Sequence, residues 1–575
     1  MNETEDNVEK DIFIFALENA ISYNGEAKSG ALLGKIFGKY PHTRKKGKEI
    51  NEKIKKIVAE VNDLTLEQQK IEIERLAPGY LTQKELMRES RKGRHAELRP
   101  LKNAVEGKVI LRFEPSPSGP LHIGHAYQLS LNYLYKKIYN GKLILRISDT
   151  NPGNIDPDAY KLIEEDASWL TSNGIDEFVV QSDRMEIYYE KALQMIEEGF
   201  AYVCICSQET FKEFVNNTEA CPCRDLSSKE QLKRWNSMMH DYEQGDAVVR
   251  AKNSMTDSNP AMRDFPLLRI SEGDHARQGL KYRVWPLLNF AVAIDDHEMG
   301  LTHVLRGKDH YDNTKRQKFI FDSFKWKHPE YIHTGKINFE GLKLSTTETR
   351  ENIIAGKYSG WDDIRLAFLA ALRRRGYVPE AIVNFARDIG TTMADKTVTA
   401  EEFFKNLNYH NKSIIEKESF RYFFIEDPVE LEIENVKRKE LELDLHPDYK
   451  KGGRKFKING KFLISKNDFI EIKEGELWRL MDCLNFRRQN GKFIFDSEEY
   501  EKLKEEDRRK IIHWLPDSNK NLDLVVHMPD RSKVRGKGES RLIDLEIGTI
   551  VQFERFAFVR LDKKGKELEF YFAHK

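Results

Sequence analysis

The segment Lys108–His125 constrains the fold of this chain more than any other, because it joins an apolar strand to a turn that ends that strand. The strand is predicted over Val109–Phe113, and the prolines and glycine of Pro115–Pro120 prevent its continuation. An amphipathic helix is predicted from Ala126, and a second apolar strand over Leu143–Ile147. Together these elements form a βαβ unit of an open α/β sheet. Its turn lies at the carboxyl end of a strand, where such sheets bind ligands and a helix amino terminus favours phosphate.

This turn contains neither GxGxxG nor GxxxxGK[ST], the glycine patterns that surround phosphate with backbone N–H groups. It offers instead His122 and His125, which are three residues apart and therefore lie on one face of the first helical turn. Such histidines can donate N–H groups to a nucleotide phosphate, although helical histidines are more often surface or capping residues. Here the context favours the first interpretation. His-Ile-Gly-His after a strand and a Pro/Gly turn resembles the HIGH signature of class I aminoacyl-tRNA synthetases, in which Gly124 would let adenosine lie against the helix.

Composition sets outer limits on the kind of protein. With 575 residues the chain is long for one domain and predicts about three to five. Its 94 basic residues balance 94 acidic residues, so the net charge gives no sign of nucleic-acid binding. No apolar stretch reaches the roughly 20 residues of a membrane-spanning helix, and the acidic amino terminus is unlike a signal peptide. We therefore expect a cytoplasmic protein.

Polar residues also follow two further predicted strands. Ser148–Asn151 comes after the second strand, and Gln181–Arg184 comes after a short third strand, Phe178–Val180. Both segments would face the same cleft as the histidines, because the carboxyl ends of parallel strands meet at one edge of the sheet. A purely structural explanation does not require polar groups at three strand ends, which favours a ligand site there.

Four of the five cysteines lie in a predicted insert, residues 202–282. They form two Cys-x-Cys pairs separated by fourteen residues, and disulfides are not expected in a reduced cytosol. Four thiolates can close a tetrahedral zinc site and stabilise a small insert, whereas the alternative is free thiols that only pack. We predict zinc, and interpret the lone Cys483 as a buried small side chain. The predicted ligands are Cys204, Cys206, Cys221 and Cys223.

The sheet is predicted to resume with a strand over Arg283–Ile294, followed by the acidic run Asp295–Glu298. A metal interpretation of that run is less favoured than polar loop capping, since adjacent loop residues seldom converge on one ion. Arg306 follows another apolar strand, so its guanidinium would reach the cleft. A bidentate guanidinium suits a carboxylate better than a neutral group, which makes Arg306 a candidate ligand for a substrate carboxylate.

A second signature lies about 220 residues after the histidines, in the polar loop Gly341–Thr347. Its Lys-Leu-Ser-Thr sequence resembles the KMSKS loop of class I synthetases, with Lys343 available for phosphate charge. The segments Gly360–Leu366 and Leu372–Gly376 resemble the helical region that follows this loop in glutamyl- and glutaminyl-tRNA synthetases of archaeal and eukaryotic type.

Beyond Phe420 the pattern changes to short alternating strands, typical of small antiparallel barrels. Basic and aromatic residues interleave, as in Arg555–Arg560. A sheet with one packed and one polar face explains this without RNA, whereas with RNA such faces stack splayed anticodon bases. The predicted strands are Arg421–Ile425, Phe456–Ile464, Phe469–Ile472, Phe493–Phe495, Leu522–Val526 and Ile550–Leu561.

From Lys108 onward the chain resembles an archaeal-type glutamyl-tRNA synthetase, and its first hundred residues resemble the helical extension of archaeal members. In their own right those residues predict two charged amphipathic helices, Ile50–Glu60 and Leu64–Leu76. The resemblance implies a multidomain protein with an α/β Rossmann-type core. The implied parts are a helical extension (1–100), catalytic halves (101–201 and 283–345), an acceptor-stem insert with the zinc site (202–282), a helical stem-contact domain (346–419) and anticodon-binding antiparallel β-barrels (420–575).

What this family implies is ATP-dependent activation of glutamate to glutamyl-adenylate and transfer to the terminal ribose of tRNA, with Mg2+ on the ATP phosphates. Arg112 and Ser116 match the pair that holds the amino acid. His122 and His125 match the ATP-phosphate histidines, and Lys343 with Ser345 matches the loop that clamps pyrophosphate. Use of glutamine tRNA as well as glutamate tRNA stays open, as do oligomeric state and partners of the extension.

The chain also departs from the family pattern at three positions. Ser148 stands where relatives carry an acidic residue, so Asp149 is the predicted partner of the substrate amine. Leu288 stands where bacterial members and the glutaminyl enzymes carry a tyrosine, which leaves part of the glutamate pocket unassigned. Thr346 replaces the second lysine of KMSKS, so some phosphate stabilisation must come from elsewhere, with Arg350 or the histidines as candidates.

Two alternatives remain at this point. A glutaminyl-tRNA synthetase shares nearly every motif, but a buried Arg306 would lack a charged partner when the ligand ends in an amide. A catalytically inactive tRNA-binding paralogue would keep the scaffold without the chemistry, and the intact His122, His125 and Lys343 weigh against it.

Overall fold

The structure is a computed structural model, and it describes residues 3–22, 25–40, 43, 46–81, 98–504 and 510–575. The chain divides into two units, Met1–His95 and Ala96–Lys575. Within the described residues no helix is both long enough and apolar enough to cross a membrane.

The first unit is helical. Its helix Gly47–Asn62 buries an apolar stripe at helical spacing that includes Ile50, Ile54 and Val61. The next helix begins after Thr65, whose side chain accepts from Gln68 N in a capping box. The two amphipathic helices predicted from the sequence here are confirmed. The described helices of this unit are Glu3–Ser22, Gly30–Lys39, Gly47–Asn62 and Leu66–Leu76.

A parallel sheet forms the centre of the second unit. Its strands Ile110–Phe113, Lys142–Ile147 and Glu177–Val180 pair in that order. A second parallel pair, His303–Gly307 with Glu330–Thr334, lies beside the first strand, because Thr302 N donates to Ile110 O at 3.1 Å. The predicted βαβ unit is therefore confirmed, and the carboxyl ends of these strands share one edge.

An antiparallel sheet separates the two parallel groups in the sequence. Its strands are Ala201–Cys204, Val248–Ala251, Pro266–Ile270 and Val284–Pro286, and they pair in sequence order. The predicted strand over 283–294 is wrong beyond Pro286, since Leu288–Glu298 is a helix. A continuous apolar run does not by itself distinguish a buried strand from a buried helix.

Two seven-stranded sheets and a two-stranded hairpin make up the carboxyl-terminal part of this unit. Most neighbouring strands are antiparallel, but Leu522–His527 pairs parallel with Leu568–His574, and Pro428–Glu434 pairs parallel with Lys492–Ser497. The sheets are therefore mixed, not purely antiparallel as expected, because alternation along a strand does not encode the direction of its partner. The strand predicted over 469–472 is also wrong: most of it lies in the helix Lys466–Glu471, capped by Ser465.

The remaining elements have the following bounds. The helices of the second unit are Ile123–Ile138, Ala159–Leu170, Met185–Glu197, Gln208–Asn217, Ser228–His240, Leu288–Glu298, Tyr311–Ser323, Thr346–Ile354, Leu369–Arg375, Pro379–Ile389, Ala400–Ile415, Lys466–Glu471 and Glu501–Lys504. The strands Ile337–Glu340 and Lys396–Thr399 pair in parallel. In the sequence, three of these helices lie between the two strands: Thr346–Ile354, Leu369–Arg375 and Pro379–Ile389. The strands after residue 420 are Arg421–Tyr422, Phe424–Glu426, Pro428–Glu434, Lys439–His446, Lys450–Ile458, Lys461–Ser465, Leu477–Leu480, Leu484–Gln489, Lys492–Ser497, Ile511–Ile512, Leu515–Pro516, Leu522–His527, Lys533–Gly538, Ile550–Phe553, Ala557–Lys564 and Leu568–His574.

Candidate active site

A cavity of about 250 Å³ lies at the carboxyl ends of the strands Ile110–Phe113 and His303–Gly307. Its wall brings together four of the residues predicted from the sequence, although they lie far apart along the chain: Arg112, Ser116, His125 and Arg306. The other lining residues are Phe113, Glu114, Pro115, Gln128, Leu288, Val292, Leu305, Gly307, His310 and Gln317. Strand ends and a helix start thus line one cavity at this edge of the sheet.

A network of buried ion pairs includes two residues of the cavity wall, Arg112 and Glu114. Arg112 Nε donates to Asp296 Oδ1 at 3.0 Å, and its other nitrogen lies 3.1 Å from Glu114 Oε2. The fully buried Arg146 joins the same two carboxylates, at 3.1 Å from Glu114 Oε1 and 2.6 Å from Asp296 Oδ1. Burial opposes ionisation of Asp296, but the guanidiniums of Arg112 and Arg146 outweigh it and lower the pKa of that carboxyl. Arg112 is therefore fixed in position by paired charges.

Asp295 anchors the neighbouring part of the network. Its carboxylate accepts from Gln181 Nε2 at 2.9 Å, Arg184 Nε at 2.8 Å and the Tyr188 hydroxyl at 2.6 Å. The acidic run at 295–298 was interpreted as loop capping, and this is wrong, because it ends a helix and its first two carboxylates neutralise buried arginines. Sequence reasoning missed this role, since the pairing partners lie more than 100 positions away along the chain.

Arg306 differs from Arg112 and Arg146, the other buried arginines around this cavity, because it has no carboxylate partner among the described residues. It is 8% exposed, one nitrogen donates to Thr314 Oγ1 at 2.5 Å, and Nε has no hydrogen-bond partner. The guanidinium lies 5.1 Å from the ring centroid of Tyr331. Burial and the positive charge of Arg112 lower the pKa of Arg306 to about 10, so it stays charged at neutral pH. A buried, unneutralised cation on a cavity wall is a binding group for an anion.

The histidine pair is preorganised by the helix that it starts. His122 is the N-cap of Ile123–Ile138, and its Nδ1 accepts from Gly124 N at 3.1 Å and His125 N at 3.4 Å. His125 Nδ1 in turn accepts from His122 N at 3.5 Å, and the two rings stack with centroids 3.8 Å apart. Because both Nδ1 atoms are acceptors, each neutral ring carries its proton on Nε2.

Both imidazoles are neutral at physiological pH. Burial lowers the pKa of His122 to about 4, and burial with the neighbouring His122 lowers the pKa of His125. A Cβ at Gly124 would lie 2.9 Å from His122 Cε1, so a side chain there would displace the capping ring. The structure thus gives Gly124 a local reason to lack a side chain, in addition to the predicted contact with adenosine.

The KLSTT loop, residues 343–347, does not reach the cavity in this structure. Lys343 is exposed and its Nζ lies 2.9 Å from Glu348 Oε1, while Ser345 caps the helix Thr346–Ile354 by accepting from Glu348 N. Arg350, considered for phosphate stabilisation, donates to Ser118 O at 2.6 Å and Asp156 Oδ2 at 2.7 Å. That arginine therefore ties the loop to the Pro/Gly turn instead of facing the cavity.

Asp149, predicted as the partner of a substrate amine, also lies outside the cavity lining. Its carboxylate accepts from Ser182 N at 2.8 Å, Ser182 Oγ at 2.7 Å and the Tyr160 hydroxyl at 2.7 Å. His275 Nε2 contacts Asp149 O at 2.8 Å, and Asp149 is 1% exposed. In this structure Asp149 connects the second strand end to the third and to the insert, and its role towards a substrate amine stays a prediction.

The four cysteines of the insert meet in one cluster. The Sγ atoms are 3.6 Å apart for Cys204 and Cys221, 3.4 Å for Cys206 and Cys221 and 3.8 Å for Cys206 and Cys223, and all four lie within 4.8 Å of one another. Sulfurs around a tetrahedral zinc with bonds of about 2.3 Å lie about 3.8 Å apart. A hydrogen bond from Cys221 lowers the pKa of Cys204 to about 5, whereas burial raises that of Cys206 to about 11. The donor set and spacing fit a zinc ion, and among the described residues this is the one group of that kind.

Family models match most of the second unit. Residues 108–415 match the model described as tRNA synthetases class I (E and Q), catalytic domain. Residues 419–504 and 490–562 match two models described as tRNA synthetases class I (E and Q), anti-codon binding domain. The catalytic match spans more than half of the chain, so the fold and the cavity define a class I tRNA synthetase of the E and Q type.

Curated relatives narrow this class. The glutamate–tRNA ligase of Methanothermobacter marburgensis is 43% identical over 570 residues, which cover 99% of this chain and 100% of the relative. Those of Methanothermobacter thermautotrophicus and Pyrococcus furiosus are 44% and 42% identical over 574 and 584 residues, again covering 99% of this chain and 100% of each relative. The chain therefore belongs to the glutamate–tRNA ligase family, which confirms the resemblance drawn from the HIGH and KLSTT motifs.

Proposed function

We propose that the chain activates L-glutamate with ATP and transfers it to the 3'-terminal ribose of tRNA. The observation that carries the choice of glutamate is Arg306, a buried guanidinium on the cavity wall without a carboxylate partner among the described residues. The network around it contains three further guanidiniums, of Arg112, Arg146 and Arg184, against the carboxylates of Glu114, Asp295 and Asp296. Four positive against three negative charges leave one positive charge. The γ-carboxylate of glutamate neutralises it, and the amide of glutamine does not.

The first step is attack of a substrate α-carboxylate oxygen on the α-phosphorus of ATP. A new P–O bond forms, the bond to the β-phosphate breaks, and pyrophosphate leaves with its electron pair. The protein has to position the reactants and stabilise phosphate charge, with no covalent intermediate on the enzyme. In this proposal Arg112 and Ser116 orient the amino acid, while His122 and His125 donate from Nε2 to phosphate oxygens.

The second step uses the adenylate as an activated ester. A hydroxyl of the terminal ribose attacks its carbonyl carbon, the bond to the phosphate oxygen breaks, AMP leaves and the hydroxyl proton is released. Since the leaving group is already good, the protein mainly needs to align the two reactants.

In this proposal the nucleotide binds between the histidine turn, His122–His125, and the KLSTT loop. Gly124 would lie against adenosine, and Lys343 with Ser345 would clamp the leaving pyrophosphate. Lys343 must exchange Glu348 for phosphate to do so, and both side chains are more than half exposed, which makes that exchange inexpensive. Mg2+ enters this proposal with ATP, as a partner of its phosphate oxygens.

For the insert we infer a structural zinc site on Cys204, Cys206, Cys221 and Cys223. Support comes from the tetrahedral sulfur spacing and from the small separate cluster in which these cysteines pack with Tyr202 and Phe211. Metal analysis should find about one equivalent of zinc per chain, and Cys204→Ser with Cys221→Ser should remove it and loosen the insert. Absence of metal, with four titratable thiols in the folded protein, would leave only the packing interpretation.

The domain assignment is likewise a proposal. Residues 101–201 and 283–345 would form the Rossmann-type catalytic core, 202–282 the acceptor-stem insert, 346–419 the stem-contact helices and 420–575 the anticodon-binding β-barrels. Matches to two anticodon-binding models support the last assignment. Residues 1–100 stay assigned as a helical extension, and the cytoplasm as the place of work, where ATP, glutamate and tRNA occur together.

Aminoacylation of purified glutamate and glutamine tRNAs, each with labelled glutamate or glutamine, tests this function. We expect glutamate on glutamate tRNA, and no observation here favours charging of glutamine tRNA. Charging with glutamine would support the glutaminyl alternative. If the chain shows no ATP–pyrophosphate exchange, either with or without tRNA, the result would support an inactive tRNA-binding paralogue.

A further inference from the structure

We propose that Glu114 binds the α-ammonium group of the substrate amino acid. The inference rests on the proposed function, because it concerns the same cavity and the same ligand. It assigns a partner to the α-ammonium group of glutamate, for which the proposed function names none.

Glu114 is the only carboxylate residue on the cavity wall among the residues that the structure describes. An ammonium group loses much of its hydration in a cavity of this size, so it needs an anionic or strongly accepting neighbour. The other candidate acids do not line the cavity. Asp149 is held by Ser182 and Tyr160, and Asp295 by three donors. Asp296 holds Arg112 and Arg146 through Oδ1, and although its buried Oδ2 has no partner, it is not part of the cavity wall.

The hydrogen-bond inventory of Glu114 leaves room for a ligand. Oε1 accepts from Arg146 Nε at 3.1 Å and Gln181 Nε2 at 3.2 Å, which fills its two acceptor positions. Oε2 lies 3.1 Å from a guanidinium nitrogen of Arg112 and has no second donor among the described residues. One acceptor position of a charged oxygen is therefore free beside Arg112.

The cavity wall also contains neutral hydrogen-bond acceptors. The amide oxygens of Gln128 and Gln317 are buried without partners, and both residues line the cavity. An ammonium group has three N–H donors, so one can bind Glu114 while others use these oxygens. Unpaired buried acceptors are costly, which favours a ligand that carries several donors.

Ser148, at the end of the second strand, lies next to the end of the first strand, which carries Glu114. Ser148 N donates to Pro115 O at 2.9 Å, so the second strand end lies directly beside the residue after Glu114. Ser148 is half-buried and carries no charge. Across that hydrogen bond, Glu114 supplies a carboxylate where Ser148 has only a hydroxyl group.

The test compares binding of glutamate and glutarate, a dicarboxylate that lacks the amine, by calorimetry. We expect the wild-type preference for glutamate to fall about 10- to 100-fold in Glu114→Gln, since that variant removes the charge opposite the ammonium group. Glu114→Asp keeps the network charge but withdraws the carboxylate, and should lower the preference with glutarate binding nearly unchanged. Asp295→Asn is the matched control, because it removes a network charge that does not line the cavity.

The outcomes separate the inference from the proposed function. If Glu114→Gln weakens both ligands by the same factor, as expected of Asp295→Asn, Glu114 only holds Arg112 and the inference is overturned. Adding Ser148→Asp to Glu114→Gln should recover the preference, and failure to recover it would likewise count against ammonium binding. A wild-type protein that does not bind glutamate at all would contradict the proposed function itself.

Discussion

The amino-acid cavity and the KLSTT loop differ in how much of their chemistry is already assembled. In the cavity, Arg112 is fixed by two buried carboxylates, and Arg306 is buried with its charge unneutralised. In the loop, Lys343 is 61% exposed and paired with a half-exposed glutamate. In the proposed function, the groups that select the amino acid are therefore preorganised, whereas the charge of Lys343 has to be released from Glu348 when the nucleotide binds.

The histidine turn lies between these extremes. Its two rings are stacked and cap a helix, yet both are neutral, so in the proposed mechanism they would act as dipolar donors without adding fixed charge. Neutral donors stabilise the charge that develops on a phosphate without attracting an anion into the empty cavity as strongly as a cation would.

The largest effect is expected in the amino-acid cavity, from Arg306→Gln. Losing one partner of a buried charged pair costs about 3–5 kcal/mol, or roughly two to four orders of magnitude in kcat/KM for glutamate. The gap between glutamate and glutamine should narrow, while KM for ATP changes little. Arg316→Gln, outside the cavity, is the matched control. An unchanged preference for glutamate would mean that another cation, such as Arg112, recognises the side chain.

The next effect is expected at the histidine turn. His122→Ala or His125→Ala should slow adenylate formation by about two to three orders of magnitude, since removal of one preorganised transition-state donor typically costs that much. Affinity for tRNA should stay near normal, because neither ring belongs to the carboxyl-terminal sheets. Wild-type rates of ATP–pyrophosphate exchange in either variant would remove the histidines from the mechanism.

A smaller effect should come from freeing the loop lysine. Glu348→Gln removes the exposed pair that holds Lys343, and such pairs are worth about 0.2–1 kcal/mol. We therefore expect KM for ATP to fall by at most about fivefold, with glutamate binding unchanged. Glu351→Gln, on the same helix, is the control. A large loss of activity instead would show that Glu348 has its own part in nucleotide binding.

The last effect is on stability and its pH dependence, not on catalysis. The folded-state pKa of His122 is about 4, below its value of roughly 6.5 in an unfolded chain. The unfolded state therefore binds more protons between these pH values, so this contribution to stability is present above about pH 6.5 and is lost as pH falls towards 4. In His122→Gln the fall in unfolding free energy over that window should shrink by roughly 1–3 kcal/mol, measured by denaturant titration. The exposed His240→Gln variant should keep the wild-type slope.

Local patterns in the sequence sufficed for the strand, turn and helix around the histidines. The predicted strand and the observed Ile110–Phe113 agree within one residue, because Pro115 stops the strand and the apolar run is short. The helix begins at Ile123, earlier than predicted, since His122 itself provides the cap. Propensity alone does not show a histidine acting as N-cap.

The ion network was not predictable from the sequence. Arg112 and Asp296 lie 184 positions apart, and Arg146 and Asp296 lie 150 apart, so only the fold shows that their charges cancel. The contacts of Asp149 could not be predicted for the same reason, since its partners come from a helix, from another strand end and from the insert. That Arg306 has no carboxylate partner among the described residues can be recognised only when the ion pairs of the neighbouring arginines are known.

The most direct test of the central claim is binding of free glutamate and glutamine to the wild-type chain without ATP or tRNA. Because the cavity is preassembled around an unneutralised guanidinium, we predict that glutamate binds on its own and that glutamine binds at least about 100-fold more weakly. Equal affinities, or no glutamate binding until ATP is added, would contradict the account.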